Sequence, residues 1–134
     1  MEARYATLTV LLWDPATLQI VMANAGAIPP MICRGNEILK LRAEGVPVGL
    51  LESREYEEIA FQAQAGETIV LYSDGITDHL NPAGHEFGRT RLAQTVRAGC
   101  RLPAAKLIAS IFAELDEFNT TAFDDQTVFV MKVK

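Results

Sequence analysis

The first half of the chain alternates at period two, and the second half shifts to the helical period. Tyr5 to Trp13 is β-branched and aromatic, with Leu8, Val10 and Leu12 on one face, and predicts a strand. Asp14-Pro15-Ala16-Thr17 predicts a turn, because proline presets φ at its second position, and Leu18 to Ala25 is the returning strand of a hairpin. Gly26-Ala27-Ile28-Pro29-Pro30 ends it, since neither proline has an N–H to give to a ladder. Met31–Arg34 and Glu37–Leu41 predict a second hairpin closed by Gly35-Asn36, and Glu44 to Gly49 a loop of constrained shape. Tyr56 to Gln62 predicts a strand with an exposed acidic side. After a turn at Ala65-Gly66-Glu67, Thr68 to Ser73 is apolar on both faces through Ile69-Val70-Leu71-Tyr72, the mark of a central strand. Phe87 to Cys100 carries Leu92 and Val96 at helical spacing and ends near Gly99. Pro103 suits a first helical turn, and Ile108, Ile111, Phe112, Leu115 and Phe118 make the apolar stripe of a second helix. Asn119 to Phe123 is a polar connector, and Thr127 to Val133 returns to strand chemistry. Five or six strands, two helices and a last strand, with no repeat or linker, predict a single α+β domain over residues 1–134.

Composition narrows the partners. At 134 residues, 49% hydrophobic and 22% charged, the chain is long enough to bury a core without disulfide staples. Twelve basic residues, scattered singly, against 17 acidic, for a net charge of −5, argue against nucleic acid and against an anionic membrane surface. No apolar run approaches the ~20 residues of a membrane span, and Met1-Glu2-Ala3-Arg4 has no signal-peptide layout. Cys33 and Cys100 have no CxxC neighbour or nearby histidine cluster, and read as isolated, reduced, half-buried thiols of a cytoplasmic protein.

Two acidic spots stand where strands end. Asp74 follows the apolar strand and is followed at once by Gly75; Asp124-Asp125 precedes the final strand. If these strands are antiparallel neighbours, the end of one lies beside the start of the other, and Asp74 and Asp124 converge within about 6 Å, near enough to share a hard cation such as Mg²⁺ or Mn²⁺. The alternative is that Asp74-Gly75 is a turn and Asp124-Asp125 a loop or cap, roles these residues fill constantly.

The motifs taken together resemble one family. Tyr72-Ser73-Asp74-Gly75-Ile76-Thr77-Asp78, Phe87-Gly88 with Arg91-Leu92, and Asp124-Asp125-Gln126-Thr127 are similar to the C-terminal motifs of SpoIIE/RsbU-like PPM (type 2C) protein serine/threonine phosphatases. Asn24-Ala25-Gly26 with Pro29-Pro30 resembles the family's Asn-Ala-Gly-His-x-Pro-Pro segment, and Gly45-Val46-Pro47-Val48-Gly49-Leu50 its Gly-x-Pro-x-Gly segment. The resemblance runs from about Ala6 to the C-terminus. It implies an αββα sandwich, with a two-metal centre of Mn²⁺ or Mg²⁺ between the sheets. Asp74 and Asp124 are then metal ligands, Gly75 the turn glycine and Asp125 a support for the loop. It further implies a water activated by the two cations that attacks phosphoserine or phosphothreonine on a regulatory protein of the anti-sigma-factor antagonist type. A sensor or receiver domain upstream is also implied.

Two departures qualify that picture. The family's opening Asp-x-x-Gly-His-Gly segment, whose Asp bridges the metals, is not in this chain. The chain therefore reads as an N-terminally truncated, partial domain, expected to bind Mn²⁺ weakly, to lack hydrolysis on its own, and to leave an apolar face that a homodimer could bury. Ala27-Ile28 also stands where the family carries His and a polar residue. Both departures keep open a non-catalytic binding module on the same fold, and a plain α+β interaction domain is the third reading. His79 and His85, six apart, read as exposed and solvated; Ser73 has no base placed to make it a nucleophile. Trp13 and the phenylalanines read as packing, and Arg34, Arg42, Arg54 and Arg89 are equal candidates to meet a phosphate.

Overall fold

The computed structural model describes every residue except 1–3, 42–44, 46, 50 and 53–54. Its described elements run β1 (Leu8–Asp14), β2 (Gln19–Ala25), β3 (Met31–Arg34), β4 (Glu37–Lys40), β5 (Glu58–Gln62), β6 (Thr68–Tyr72), α1 (Asp74–Thr77), α2 (Gly88–Ala98), α3 (Ala104–Phe118) and β7 (Val128–Lys132). They form a three-stranded sheet, β1-β2-β5, and a four-stranded sheet, β4-β3-β6-β7, with every named pairing antiparallel. The constrained loop expected over Glu44–Gly49 lies partly outside the described residues, as do Arg42 and Arg54.

Burial sorts these elements into three layers. Ile20 and Met22 of β2 meet Ile32 of β3 and Ile69 of β6, so the two sheets pack face to face. On the other side of the four-stranded sheet, Met31, Cys33, Val70 and Tyr72 pack against Leu92 and Val96 of α2 and Leu107, Ile111 and Leu115 of α3. The strand β6 thus feeds both cores, with Ile69 toward the first sheet and Val70 toward the helices, as its two apolar faces predict. This is a mixed α+β fold carrying the ββα part of the expected αββα sandwich. The outer face of the three-stranded sheet has no covering layer among the described residues. It carries Leu8, Val10 and Leu12, which are 50%, 53% and 69% exposed, while Leu11 and Trp13 turn inward.

Four expectations change. A one-turn helix, α1, follows β6; four residues are too few to show a helical period in the sequence. Cys33 and Cys100 are not isolated: they form a disulfide, because the end of α2 packs on β3 and brings together residues 67 apart. His79 is not solvated. It is 3% exposed, with Nε2 at 3.1 Å from the Leu115 carbonyl and 2.9 Å from that of Asn119, so the ring closes the C-terminal turn of α3. His85 is exposed, as predicted. Phe87, Phe112 and Phe118 pack as expected, but Phe123 and Phe129 are exposed. Phe129 borders an apolar cavity of about 160 Å³, lined by Leu11, Trp13, Ile20, Ile69, Leu71 and Met131, at the open margin between the sheets.

Candidate metal centre

Pairing of β6 with β7 sets the geometry of the rim. Tyr72 faces Val128 across the ladder, so the chain leaving β6 runs beside the chain entering β7. The pairing continues past the strands. Ser73 N–H donates to the Thr127 carbonyl at 3.0 Å, Thr127 N–H donates to Ser73 Oγ at 3.0 Å, and the Ser73 hydroxyl lies 3.4 Å from the Asp125 carbonyl. Ser73 is therefore occupied in holding two segments together.

Gly75 makes the approach closer still. A Cβ built on it would stand 2.0 Å from the Asp125 carbonyl oxygen and 2.9 Å from its carbon, so no side chain fits. Gln126 Nε2 donates to the Gly75 carbonyl at 3.3 Å, adding a side-chain tie between the same loops. Asp74 and Asp124 consequently stand on one rim, both exposed, with Asp125 against Gly75 between them. Asp124 Oδ1 accepts the Asp125 N–H at 2.8 Å, leaving its second oxygen open to other partners.

The space beside Asp74 is a cavity of about 220 Å³ lined by Thr7, Gly26, Ala27, Ile28, Tyr72, Ser73 and Asp74. It lies where the two sheets part, so a carboxylate from one sheet faces the Asn24–Pro30 turn leaving the other. That turn is built by Asn24, whose Oδ1 accepts the Ala27 N–H at 2.9 Å and whose Nδ2 donates to the Ala27 carbonyl at 2.8 Å. Gly45 backs it: a Cβ there would lie 2.0 Å from the Asn24 carbonyl oxygen, so the Asn-Ala-Gly and Gly-x-Pro motifs are in contact. Ile28 is half-buried against the helix-side core, which accounts for an apolar residue at that position. Burial raises the Tyr72 phenol above its ordinary pKa, and the positive charge of Arg89 partly opposes that shift.

Among the described residues, no group of three or more His, Cys, Asp or Glu side chains is gathered to hold a metal ion. An exposed carboxylate in the cleft wall and a second on the adjoining loop nevertheless have the oxygen chemistry that suits Mg²⁺ or Mn²⁺, which take oxygen ligands and keep several waters. Of the arginines, Arg34 is engaged elsewhere: it pairs with buried Glu67 at 2.8 Å and also donates to the Gln62 carbonyl, at the opposite end of β6. Sequence reasoning missed Thr7 and Tyr72 as cleft walls and Gln126 as a tie. It also missed the clamp in which His79 and the Asn119 amide, donating to the Leu80 carbonyl at 3.0 Å, join the α1 loop to the end of α3. Of these, Tyr72 and Gln126 stood inside motifs that could have signalled them.

A family model described as Stage II sporulation protein E (SpoIIE) matches residues 1–134. The chain belongs to the SpoIIE family. Protein IcfG of Synechocystis is 31% identical over 97 residues, 72% of this chain and 15% of IcfG. The SiaA-PP2C domain of Pseudomonas aeruginosa is 24% identical, with a TM-score of 0.85, over 96% of this chain and 52% of that one. The SpoIIE phosphatase domain of Bacillus subtilis, solved from Mn-presoaked material, is 19% identical with a TM-score of 0.74, over 95% of this chain and 56% of that one. This SpoIIE-family chain thus has the fold of PP2C-type phosphatase domains and spans about half the length of those solved domains. Among its described residues no helix is long and apolar enough to cross a membrane.

Proposed function

We propose that this chain is the C-terminal part of a metal-dependent protein serine/threonine phosphatase domain, with Asp74 and Asp124 as ligands to Mn²⁺ or Mg²⁺. The observation that supports the reading is the close approach at the rim: Gly75 is seated on the Asp125 carbonyl, which draws the Asp124–Asp125 loop against the turn carrying Asp74, and Asp74 lines the cleft between the sheets. When bound, the cations supply charge to neutralise phosphoryl oxygens and the activation of water. The residues of this chain hold and orient. Asp74 stands at the strand end, the Ser73 and Gln126 ties hold the segment that follows Asp124, and Asp125 supports the loop through its backbone. The substrate class is phosphoserine or phosphothreonine on a regulatory protein of the anti-sigma-factor antagonist type. The setting is cytoplasmic, and a sensor or receiver domain lies upstream. The 134-residue chain alone binds Mn²⁺ weakly and does not turn over, because two carboxylates seldom hold such ions without further ligands.

A second reading, a regulatory module that binds a phosphoprotein without hydrolysing it, is favoured by one observation. Ala27 and Ile28 make the wall of the cleft opposite Asp74 apolar. Hydrolysis of a phosphoserine peptide by the full-length protein with Mn²⁺ separates the two. The phosphatase reading predicts turnover reduced at least about 100-fold by Asp74→Asn and by Asp124→Asn, as expected when groups that organise a metal site are removed. Peptide binding without turnover in the unaltered protein would establish the module instead.

A further inference from the structure

Cys33 and Cys100 are the two cysteines of these 134 residues, and they pair with each other. Cys33 lies on β3 in the interior of the four-stranded sheet and is fully buried. Cys100 follows α2 at the turn before α3 and is 6% exposed, the more accessible of the two. Their Cα atoms are 6.3 Å apart, within the span of a disulfide. The surroundings of Cys100 are not inert. Its carbonyl accepts from Thr68 Oγ1 at 3.0 Å and from Lys132 Nζ; Lys132 Nζ also donates to Thr68 Oγ1 at 2.6 Å, and that hydroxyl lies 3.8 Å from Cys100 Sγ. The Lys132 side chain therefore stands one hydroxyl away from the Cys100 sulfur.

We propose that Cys33 and Cys100 are a reversible redox pair, whose disulfide fastens the α2–α3 layer to the four-stranded sheet. The oxidant is a low-molecular-weight disulfide such as oxidised glutathione. Cys100, as thiolate, attacks one sulfur of the reagent, forming a mixed disulfide and expelling one small thiol. Cys33 then attacks the Cys100 sulfur, the protein disulfide forms, and a second small thiol leaves. The two protein thiols are oxidised, the reagent is reduced to two thiols, and the two protons lost by the cysteines end on those products. A dithiol reductant reverses the sequence when the Gly99–Leu102 turn opens.

The consequence is conditional stability. The tether closes a long loop, 67 residues in sequence separation, that includes β4, β5, β6, α1 and α2, and it acts chiefly by restricting the unfolded chain. It sits at the Thr68 end of β6, whereas Asp74 follows the Tyr72 end, so the rim is left alone.

The test takes the 134-residue chain purified in reductant, exchanges it into oxidised glutathione, and reads alkylatable thiols by intact mass after denaturation, together with the unfolding midpoint. The expected oxidised form is monomeric in its covalent mass, takes up no alkylating reagent, and melts roughly 10 °C above the reduced form. Cys100→Ser, or Cys33→Ala should the serine variant not fold, is expected to melt at one temperature with and without reductant. Thiols that stay alkylatable, a glutathione adduct that never resolves, a disulfide-linked dimer, or equal midpoints for the two forms would each overturn the proposal. None of these outcomes depends on phosphatase activity.

Discussion

Gly75 is where a single atom has the largest expected effect. Its missing Cβ faces backbone rather than a yielding side chain, 2.0 Å from the Asp125 oxygen, so Gly75→Ala must push the Asp124–Asp125 loop away from Asp74. The expected cost is roughly 1–3 kcal/mol of unfolding free energy in denaturant titration, the range for overpacking, accompanied by loss of Mn²⁺ binding. Unchanged stability would show that the loop gives way freely. Tyr72 adds a pH dependence. Its folded pKa is raised above the ordinary value of about 10, so the folded phenol keeps a proton that the unfolded one releases. Stability is therefore full below the unfolded value and falls as pH rises through the folded one. Unfolding measured between pH 9 and 11 should show that fall, and Tyr72→Phe should flatten it. At this scale Asp74 was legible, because a carboxylate between an apolar strand and a glycine has few places to go. His79 was not: the carbonyls it meets belong to Leu115 and Asn119, 36 and 40 residues away, and spacing to another histidine carries no trace of them.

Strand β6 was legible as an element because Ile69-Val70-Leu71-Tyr72 has no polar face to give to solvent; its antiparallel pairing with β7, only a condition in the sequence argument, is met. The orientation of β1 was harder to read. Leu8, Val10 and Leu12 are as apolar as Leu11 and Trp13 on the other face, and the choice was made by what Ile20 and Ile69 needed from across the sheets. In helix α3 only the start of the predicted stripe differs: Leu107 rather than Ile108 is the fully buried first contact, while Ile111, Phe112, Leu115 and Phe118 pack as predicted. These placements predict opposite responses to substitution. Ile69→Ala, in the core shared by both sheets, should cost about 2–5 kcal/mol, whereas Leu12→Lys on the open face should stay within about 0.5 kcal/mol. Denaturant unfolding of the two variants, at a concentration low enough to keep the chain monomeric, decides it; a large loss from Leu12→Lys there would mean that the outer face is covered within the monomer.

At the scale of the molecule, one sheet is sandwiched and the other is not. The helices cover the four-stranded sheet, the three-stranded sheet covers its other side, and Leu8, Val10 and Leu12 remain exposed with a shallow apolar hollow of about 160 Å³ beside them. Exposed apolar surface of this kind favours association, and β1 is also an edge strand with one side of its ladder free within its sheet. Sedimentation of the chain at micromolar concentration is expected to show a homodimer or larger assembly that Leu12→Lys weakens; a monomer at all concentrations would contradict this. The central claim is the proposal that Asp74, which lines the cleft between the sheets, and Asp124, on the loop packed against Gly75, share a metal site. It is tested most directly by titrating Mn²⁺ into the purified chain and following water-proton relaxation. Weak, saturable binding that disappears in Asp74→Ala and in Asp124→Ala, with the fold retained, is the predicted result; binding that both variants preserve would contradict it.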